Sequence, residues 1–143
     1  MALIADSGAL YALYDTDDRH HAAVQQAIKN DPGPIIIPMA ILAELDYLLR
    51  QFLGVDAELD FIDTMIGGAY TLEAVTREDL SRCRALIAKY RDLDLGLADA
   101  AVISTAERLG VYRILTLDER HFRAVRSKTD RAFLLFPADG PAY

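Results

Sequence analysis

The chain has 143 residues, 52% of them hydrophobic, with a formal charge of −7 and one cysteine. That composition excludes a disordered chain and an internal disulfide, and its acidic balance argues mildly against a simple basic nucleic-acid binder. No apolar run approaches the ~20 residues of a membrane span, and Met1-Ala2-Leu3-Ile4-Ala5-Asp6 reaches an acid without a basic region; the expectation is one cytoplasmic domain over residues 1–143 without a signal peptide.

In chain order, residues 2–6 read as a buried strand, and Ser7 reads as the cap of a helix through Tyr14. Asp15-Thr16-Asp17-Asp18 is a loop that caps a helix from Arg19 to Asn30, and Asp31-Pro32-Gly33-Pro34 is a turn. Ile35-Ile36-Ile37 is a short β-branched strand. Pro38 suits the first turn of a helix to about Leu53, with Gly54 as its stop. A further helix runs from about Asp56 to Ile66 before Gly67-Gly68, and Tyr70 to Val75 is a strand. Thr76-Arg77-Glu78-Asp79 starts a helix to about Tyr90, with Thr as cap and acids in the first turn. Leu97 to Leu109 is the next helix, stopped by Gly110. Arg113 to Leu117 is a strand, Glu119 to Val125 a short helix, and Ala132 to Phe136 a last strand. Strands alternating with helices predict a parallel sheet covered on both faces.

Four acids stand out against this pattern: Asp6, Glu44, Asp99 and Asp118. Asp6 and Asp118 follow strands, at the carboxyl ends where α/β crevices form. Glu44 lies at the margin of an apolar stripe of Ile41, Leu45 and Leu48. Asp99 falls on the apolar face of a helix expected to bury Ala98, Val102, Ala106 and Leu109. The helix dipole favours an acid there by roughly 0.3–1 kcal/mol, which does not offset several kcal/mol of desolvation. Four carboxylates brought together repel and raise one another's pKa values, and a hard divalent cation relieves this. Asp94 reads as a cap or loop acid, Asp46 as surface. Read singly, Asp6 is also a turn residue and Asp118 an N-cap. His20, His21 and His121 lack a metal-ligand spacing and read as surface, His121 being a weak candidate for RNA contact. Cys83 sits among ordinary helical neighbours.

Charge is uneven: residues 1–76 hold 12 of the 22 acidic groups but 3 of the 15 basic ones. Between Arg113 and Arg131 lie Arg113, Arg120, Arg123, Arg126, Lys128 and Arg131, a surface that faces phosphate or is simply solvated.

The joint order strand-Asp6-Ser7, helical Glu44, Leu97-Ala98-Asp99-Ala100 opening a helix and Thr116-Leu117-Asp118 resembles the PIN domain, and specifically the VapC toxins of bacterial toxin–antitoxin pairs. Residues 92–100 and 115–122 are similar to the signature of one VapC group. The resemblance covers nearly the whole chain. It implies a three-layer α/β sandwich, a flavodoxin-like variant with four or five parallel strands between helices. It implies an endoribonuclease dependent on Mg²⁺, with Mn²⁺ as substitute, that cuts structured transfer or ribosomal RNA. It also implies a homodimer, neutralised by a cognate VapB-type antitoxin. Carried over, Asp6 and Asp99 are implied as direct metal ligands, with Glu44 and Asp118 completing the acidic ring directly or through water. Ser7 and Thr116 are further candidates for positioning water or metal. With no histidine placed as base, attack by metal-activated water is expected, leaving 3′-hydroxyl and 5′-phosphate ends.

A haloacid-dehalogenase phosphatase needs a second Asp where Gly8 stands, and a receiver domain needs an acidic pair that is absent. Nucleotide-loop and hydrolase-elbow motifs are absent too. The alternative is a PIN fold that binds a partner without cutting RNA. Apolar groups on residues 39–68, among them Leu48, Leu49, Phe52, Leu53, Leu59, Phe61, Ile62 and Met65, are expected to contribute a dimer or antitoxin groove, with core as the other reading. Phe52→Asp or Phe61→Asp should then release a partner.

Overall fold

The computed structural model describes residues 1–141; the last two residues of the expected domain lie outside the described residues. Its elements are β1 (Leu3–Ala5), α1 (Ser7–Tyr14), α2 (His21–Asn30), β2 (Ile35–Pro38), α3 (Leu42–Leu53), α4 (Val55–Ile66), β3 (Thr71–Glu73), α5 (Arg77–Lys89), α6 (Leu97–Leu109), β4 (Arg113–Leu115), α7 (Glu119–Ala124) and β5 (Leu134–Phe136). The expected elements all form, mostly trimmed by one or two residues at their ends. The helix expected from Pro38 instead begins after a single 3₁₀ turn over Met39–Ile41, because Pro38 still belongs to β2.

The five strands form one all-parallel sheet in the order β3-β2-β1-β4-β5. Sequence order therefore runs outward from β1 to β3, then returns to the other side of β1 at β4. The crevice of such a sheet opens where that order reverses, beyond the carboxyl ends of β1 and β4. Leu3, Ile4, Ala5, Ile37, Ile114 and Leu115 are almost wholly buried, as strands covered on both faces require.

α6 packs against β1 and β2 and is the most buried helix. Every residue from Ala100 to Ala106 is buried, whereas Ala98 is half-buried and Leu109 is exposed. The expected four-residue stripe is thus a broader band, since α6 is covered by the sheet and by α5 together. Small residues (Ala100, Ala101, Ser104, Ala106) permit that close approach. Gly110 ends α6 in the left-handed region at φ 67°, which a glycine adopts without steric cost. In the turn before β2, a Cβ on Gly33 would overlap the backbone of Met1.

The six basic residues divide: Arg120, Arg126 and Lys128 are exposed with no ion pair among the described residues, and the others find partners in the protein. Arg113 pairs with buried Asp31, and Arg123 pairs with Glu119 and Asp139. Arg131 stacks over the Tyr112 ring. Asp46, read as surface, is half-buried and shares a hydrogen bond with buried Glu58, which raises the Glu58 pKa. Phe61 is core, at 1% exposure, in edge contact with Tyr14 and beside Tyr70, and Leu49 is fully buried. Phe52 is 64% exposed. Periodicity had grouped these three together; packing of the α3–α4 hairpin on α1 separates them.

Candidate active site

Asp6, Ser7, Gly8, Glu44, Asp99, Leu117 and Asp118 line one cleft of about 320 Å³. Four backbone elements deliver its acids. Asp6 directly follows β1 and, rather than Ser7, caps α1, and Asp118 lies just past β4, so adjacent parallel strands bring residues 112 positions apart to one edge. Glu44 comes from the first turn of α3, and Asp99 from the first turn of α6. All four acids singled out from the sequence therefore meet in space.

Asp6 is the most enclosed, at 7% exposure. Its Oδ1 accepts from the Ser7 N–H at 2.9 Å and its Oδ2 from the Thr116 hydroxyl at 2.9 Å. Burial nevertheless pushes its pKa up to about 6, with Asp99 and Glu44 adding to the rise. The Asp99 carboxyl is also raised, first by burial and then by Asp118 and Glu44. Its one hydrogen bond comes from the Gly96 N–H at 3.4 Å, a long contact. Glu44 is exposed and has no hydrogen-bond or ion-pair partner among the described residues. No Lys or Arg lines the cleft.

Thr116 links the two strand ends: its hydroxyl donates to Asp6 and accepts from the Asp118 N–H at 3.0 Å. Asp118 caps α7, its Oδ1 accepting from the His121 N–H at 3.0 Å. The sequence reading underrated His121. Its Nδ1 lies 2.6 Å from Asp118 Oδ2, and its Nε2 lies 2.9 Å from the Leu93 carbonyl. A carbonyl only accepts, so Nε2 carries a hydrogen and donates to it, while Nδ1 faces the Asp118 carboxyl group. The hydrogen bond to Asp118 accordingly raises the His121 pKa. The signal was present as the three-residue spacing Asp118–His121, which puts both at the start of one helix. Asp94 does not reach the cleft: it takes a left-handed turn at φ 57° and lines a separate groove with Cys83. Burial pushes the Cys83 thiol up to about 11, in keeping with an unreactive core cysteine.

The donor set fits a divalent cation. Four carboxylates converge, two have pKa values raised by desolvation and mutual repulsion, and no Lys or Arg among the described residues lines the cleft; His121, paired with Asp118, offsets part of the rise at Asp99 without cancelling it. Hard oxygen ligands that leave room for several waters suit Mg²⁺ or Mn²⁺. Asp99, Asp118 and His121 also present ligand atoms within 4.8 Å of one another. His121 would have to release a hydrogen bond to join them, so the carboxylates are the better set.

Comparison with known proteins gives a consistent picture. A family model described as the PIN domain matches residues 3–128. The chain is 36% identical over 135 residues to Ribonuclease VapC26 of Mycobacterium tuberculosis (strain ATCC 25618 / H37Rv), covering 94% of this chain and all of that protein. Among solved structures it resembles VapC20 of Mycobacterium tuberculosis, a sarcin-ricin loop cleaving toxin, with a TM-score of 0.76 at 16% identity over 81% of this chain and 89% of that one. It also resembles a chain of a toxin–antitoxin complex from Klebsiella pneumoniae, with a TM-score of 0.66 at 18% identity over 86% and 92%. A third similar structure is VapBC2 from Rickettsia felis bound to a DNA fragment from their promoter, with a TM-score of 0.66 at 13% identity over 94% and 97%.

Proposed function

The chain belongs to the PIN-domain family and groups with its VapC ribonucleases, and from that premise we propose that it is a metal-dependent endoribonuclease toxin of a type II toxin–antitoxin system. It acts as a single PIN domain on structured cellular RNA, transfer or ribosomal. The observation that carries this reading is the convergence of Asp6, Glu44, Asp99 and Asp118 in a cleft that no Lys or Arg among the described residues lines. Without a cation such a cleft repels phosphate; with one it attracts it.

Asp6 and Asp99, the two acids whose pKa values burial raises, would hold the metal directly. Glu44 and Asp118 would complete the ring, directly or through water. A bound Mg²⁺ or Mn²⁺ would supply charge neutralisation on the phosphate and activation of the attacking water. The chain does the positioning. Ser7 and Thr116 fix both oxygens of Asp6, and Thr116 ties it to the strand that carries Asp118. His121 clamps Asp118 against the Leu93 carbonyl, and with both its nitrogens engaged it has no free position from which to act as base.

The test is cleavage of total cellular RNA by the purified protein beside its Asp99→Asn variant. Discrete fragments are expected with Mn²⁺ or Mg²⁺, lost in chelator and reduced at least ~10²-fold in the variant. Fragment ends should be 5′-phosphate and 3′-hydroxyl; 2′,3′-cyclic phosphate would mean attack by the RNA's own 2′-hydroxyl and would overturn water as nucleophile. No cleavage by the folded, antitoxin-free protein would favour a PIN fold that binds without cutting.

The proposed partners are a cognate VapB-type antitoxin and a second copy of this chain. The α3–α4 hairpin supports an apolar docking surface: Tyr47, Phe52, Leu59 and Ile66 are all at least half exposed, and apolar helix faces of this kind seat amphipathic helices. Phe52→Asp should weaken antitoxin binding without unfolding the protein, read by titration calorimetry with circular dichroism as control. Phe61→Asp should unfold it instead, because an unpaired carboxylate in that core costs several kcal/mol. Unchanged antitoxin affinity in the folded Phe52→Asp variant would move the groove elsewhere.

A further inference from the structure

Beside the acidic cleft lies a second cavity, of about 420 Å³, walled chiefly by His20, Ala23, Leu117, Glu119, Pro137 and Ala138. It opens on the same carboxyl edge of the sheet. Leu117 lines both cavities, and Thr116, which bonds Asp6, forms part of the wall of the second. We propose that this cavity is a nucleobase pocket, which holds one unstacked base of the RNA next to the phosphate being cut.

The inference rests on the nuclease reading and adds how that nuclease selects its site. The volume falls in the ~300–1,000 Å³ range of small-molecule sites. Its walls are more apolar than polar, with the His20 ring, Pro137 and Pro141 among them, and no Lys or Arg among the described residues lines them; the ligand is therefore an uncharged ring rather than a phosphate. Sequence-specific recognition of RNA uses splayed bases stacked on flat side chains, histidine among them, and bonded along their edges. Two polar groups here suit that task, and each is held by a neighbour. His20 Nε2 accepts from Arg19 Nε at 3.0 Å, and its backbone N–H donates to Asp18 at 2.7 Å. With Nε2 an acceptor, Nδ1 carries the hydrogen and is a donor. Glu119 Oε1 takes the Arg123 guanidinium at 2.7–2.8 Å, and Oε2 has no hydrogen-bond partner among the described residues. A carboxylate accepts only. Oε2, with both its lone pairs free, can accept from N1–H and N2–H of guanine together, the base with two adjacent N–H donors on its Watson–Crick edge.

The experiment has two arms on the full chain. In the first, isotope-labelled protein is titrated by nuclear magnetic resonance with each of the four ribonucleoside 5′-monophosphates in Mg²⁺. GMP should perturb Ala23, Leu117 and Ala138 at the lowest concentration, and both Glu119→Gln and the pocket-filling Ala138→Trp should weaken it. In the second, cut sites in total RNA are mapped. Wild type should favour guanine beside the cut, and that preference should fall by roughly tenfold in Glu119→Gln. Glu119 is 55% exposed at its side chain, so this variant should fold even if Ala138→Trp does not. Cleavage without base preference, together with no nucleotide shifts, overturns the pocket and leaves the nuclease standing. Nucleotide shifts confined to Ser7 and Gly8 also overturn it, as would shifts that only an antitoxin peptide produces. GMP seated in the pocket of a protein that cuts no RNA supports base binding and overturns the nuclease reading instead.

Discussion

Asp6→Asn is expected to abolish metal-dependent RNA cleavage and, in the same tube without metal, to make the protein more stable. Both effects follow from one carboxylate. Burial raises the Asp6 pKa from 3.8 to about 6, with Asp99 and Glu44 contributing. A carboxyl group whose folded pKa lies above its unfolded value favours folding while protonated, and that contribution is lost as pH rises through the window from the unfolded to the folded pKa. At pH 7 the metal-free wild type therefore carries a penalty of up to about 3 kcal/mol. Asparagine keeps an oxygen that accepts from Thr116 or Ser7, and it carries no charge to desolvate. Thermal unfolding in chelator should show the variant higher by roughly 6–12 °C, with the gap closing once the buffer is acidified below about pH 4. Saturating Mn²⁺ or Mg²⁺ should reverse the ranking, since binding at a thousandfold excess over Kd stabilises by ~4.1 kcal/mol, more than that penalty, and the variant has lost a ligand. A variant less stable than wild type in chelator at pH 7 would mean that the Asp6 charge is already compensated by the protein alone. The proposed role of the cation would then fail.

The second large effect lies away from the cleft. Asp79→Ala should cost about 3–4 kcal/mol of stability while the folded fraction still cleaves RNA. Asp79 is 3% exposed and ties α5 to α6. It forms a capping box with Thr76, accepts the Ser104 hydroxyl at 2.8 Å and accepts Arg108 Nε at 3.2 Å. Removing it leaves the buried Ser104 hydroxyl without its acceptor, leaves the Arg108 guanidinium to Glu73 and the Ala74 carbonyl, and breaks the half of the capping box in which Asp79 accepts from the Thr76 N–H. Burial alone would raise its pKa, but the bonds from Thr76, Ser104 and Arg108 outweigh burial and hold it below the ordinary value. Such a group contributes stability above its unfolded pKa and loses it as pH falls through the depressed folded one. Urea denaturation should accordingly show a wide gap between wild type and variant at pH 7 that narrows below pH 4. A loss under 1 kcal/mol at pH 7 would show that the α5–α6 interface stands on its apolar contacts alone.

The catalytic proposal and the stability of the scaffold thus rest on opposite treatments of buried carboxylates. Asp79 meets enough donors to stay charged comfortably. Asp6 has two neutral donors and two like-charged neighbours, and remains short of positive charge. That difference, between two acids that are both buried, marks the cleft more clearly than burial does.

Local chemistry determined much about this protein from its sequence alone. Hydrophobic runs of three to five residues, separated by capped helical stretches, specify five strands and their alternation with helices, and the alternation requires parallel pairing. The position of Asp6 and Asp118 immediately after strands places them at the carboxyl edge, because a parallel sheet puts all its carboxyl ends on one side. Asp99 betrayed itself as a charge on an apolar face. Only the tertiary structure decided the rest. Whether Glu44 is a solvated edge or part of the cleft depends on where α3 lies over the sheet. Phe52 and Phe61 look alike in sequence, yet packing of the α3–α4 hairpin leaves one in water and one in the core. The basic run near the chain's end read as either a phosphate-facing or a solvated surface, and packing divides it: Arg113 finds Asp31 and Arg123 finds Asp139, while Arg120, Arg126 and Lys128 stay exposed. His121 gained its role from the Leu93 carbonyl, 28 residues away. The physical reason is common to all four. Periodicity reports which side of an element is apolar, whereas burial and charge pairing depend on which distant element is packed against it.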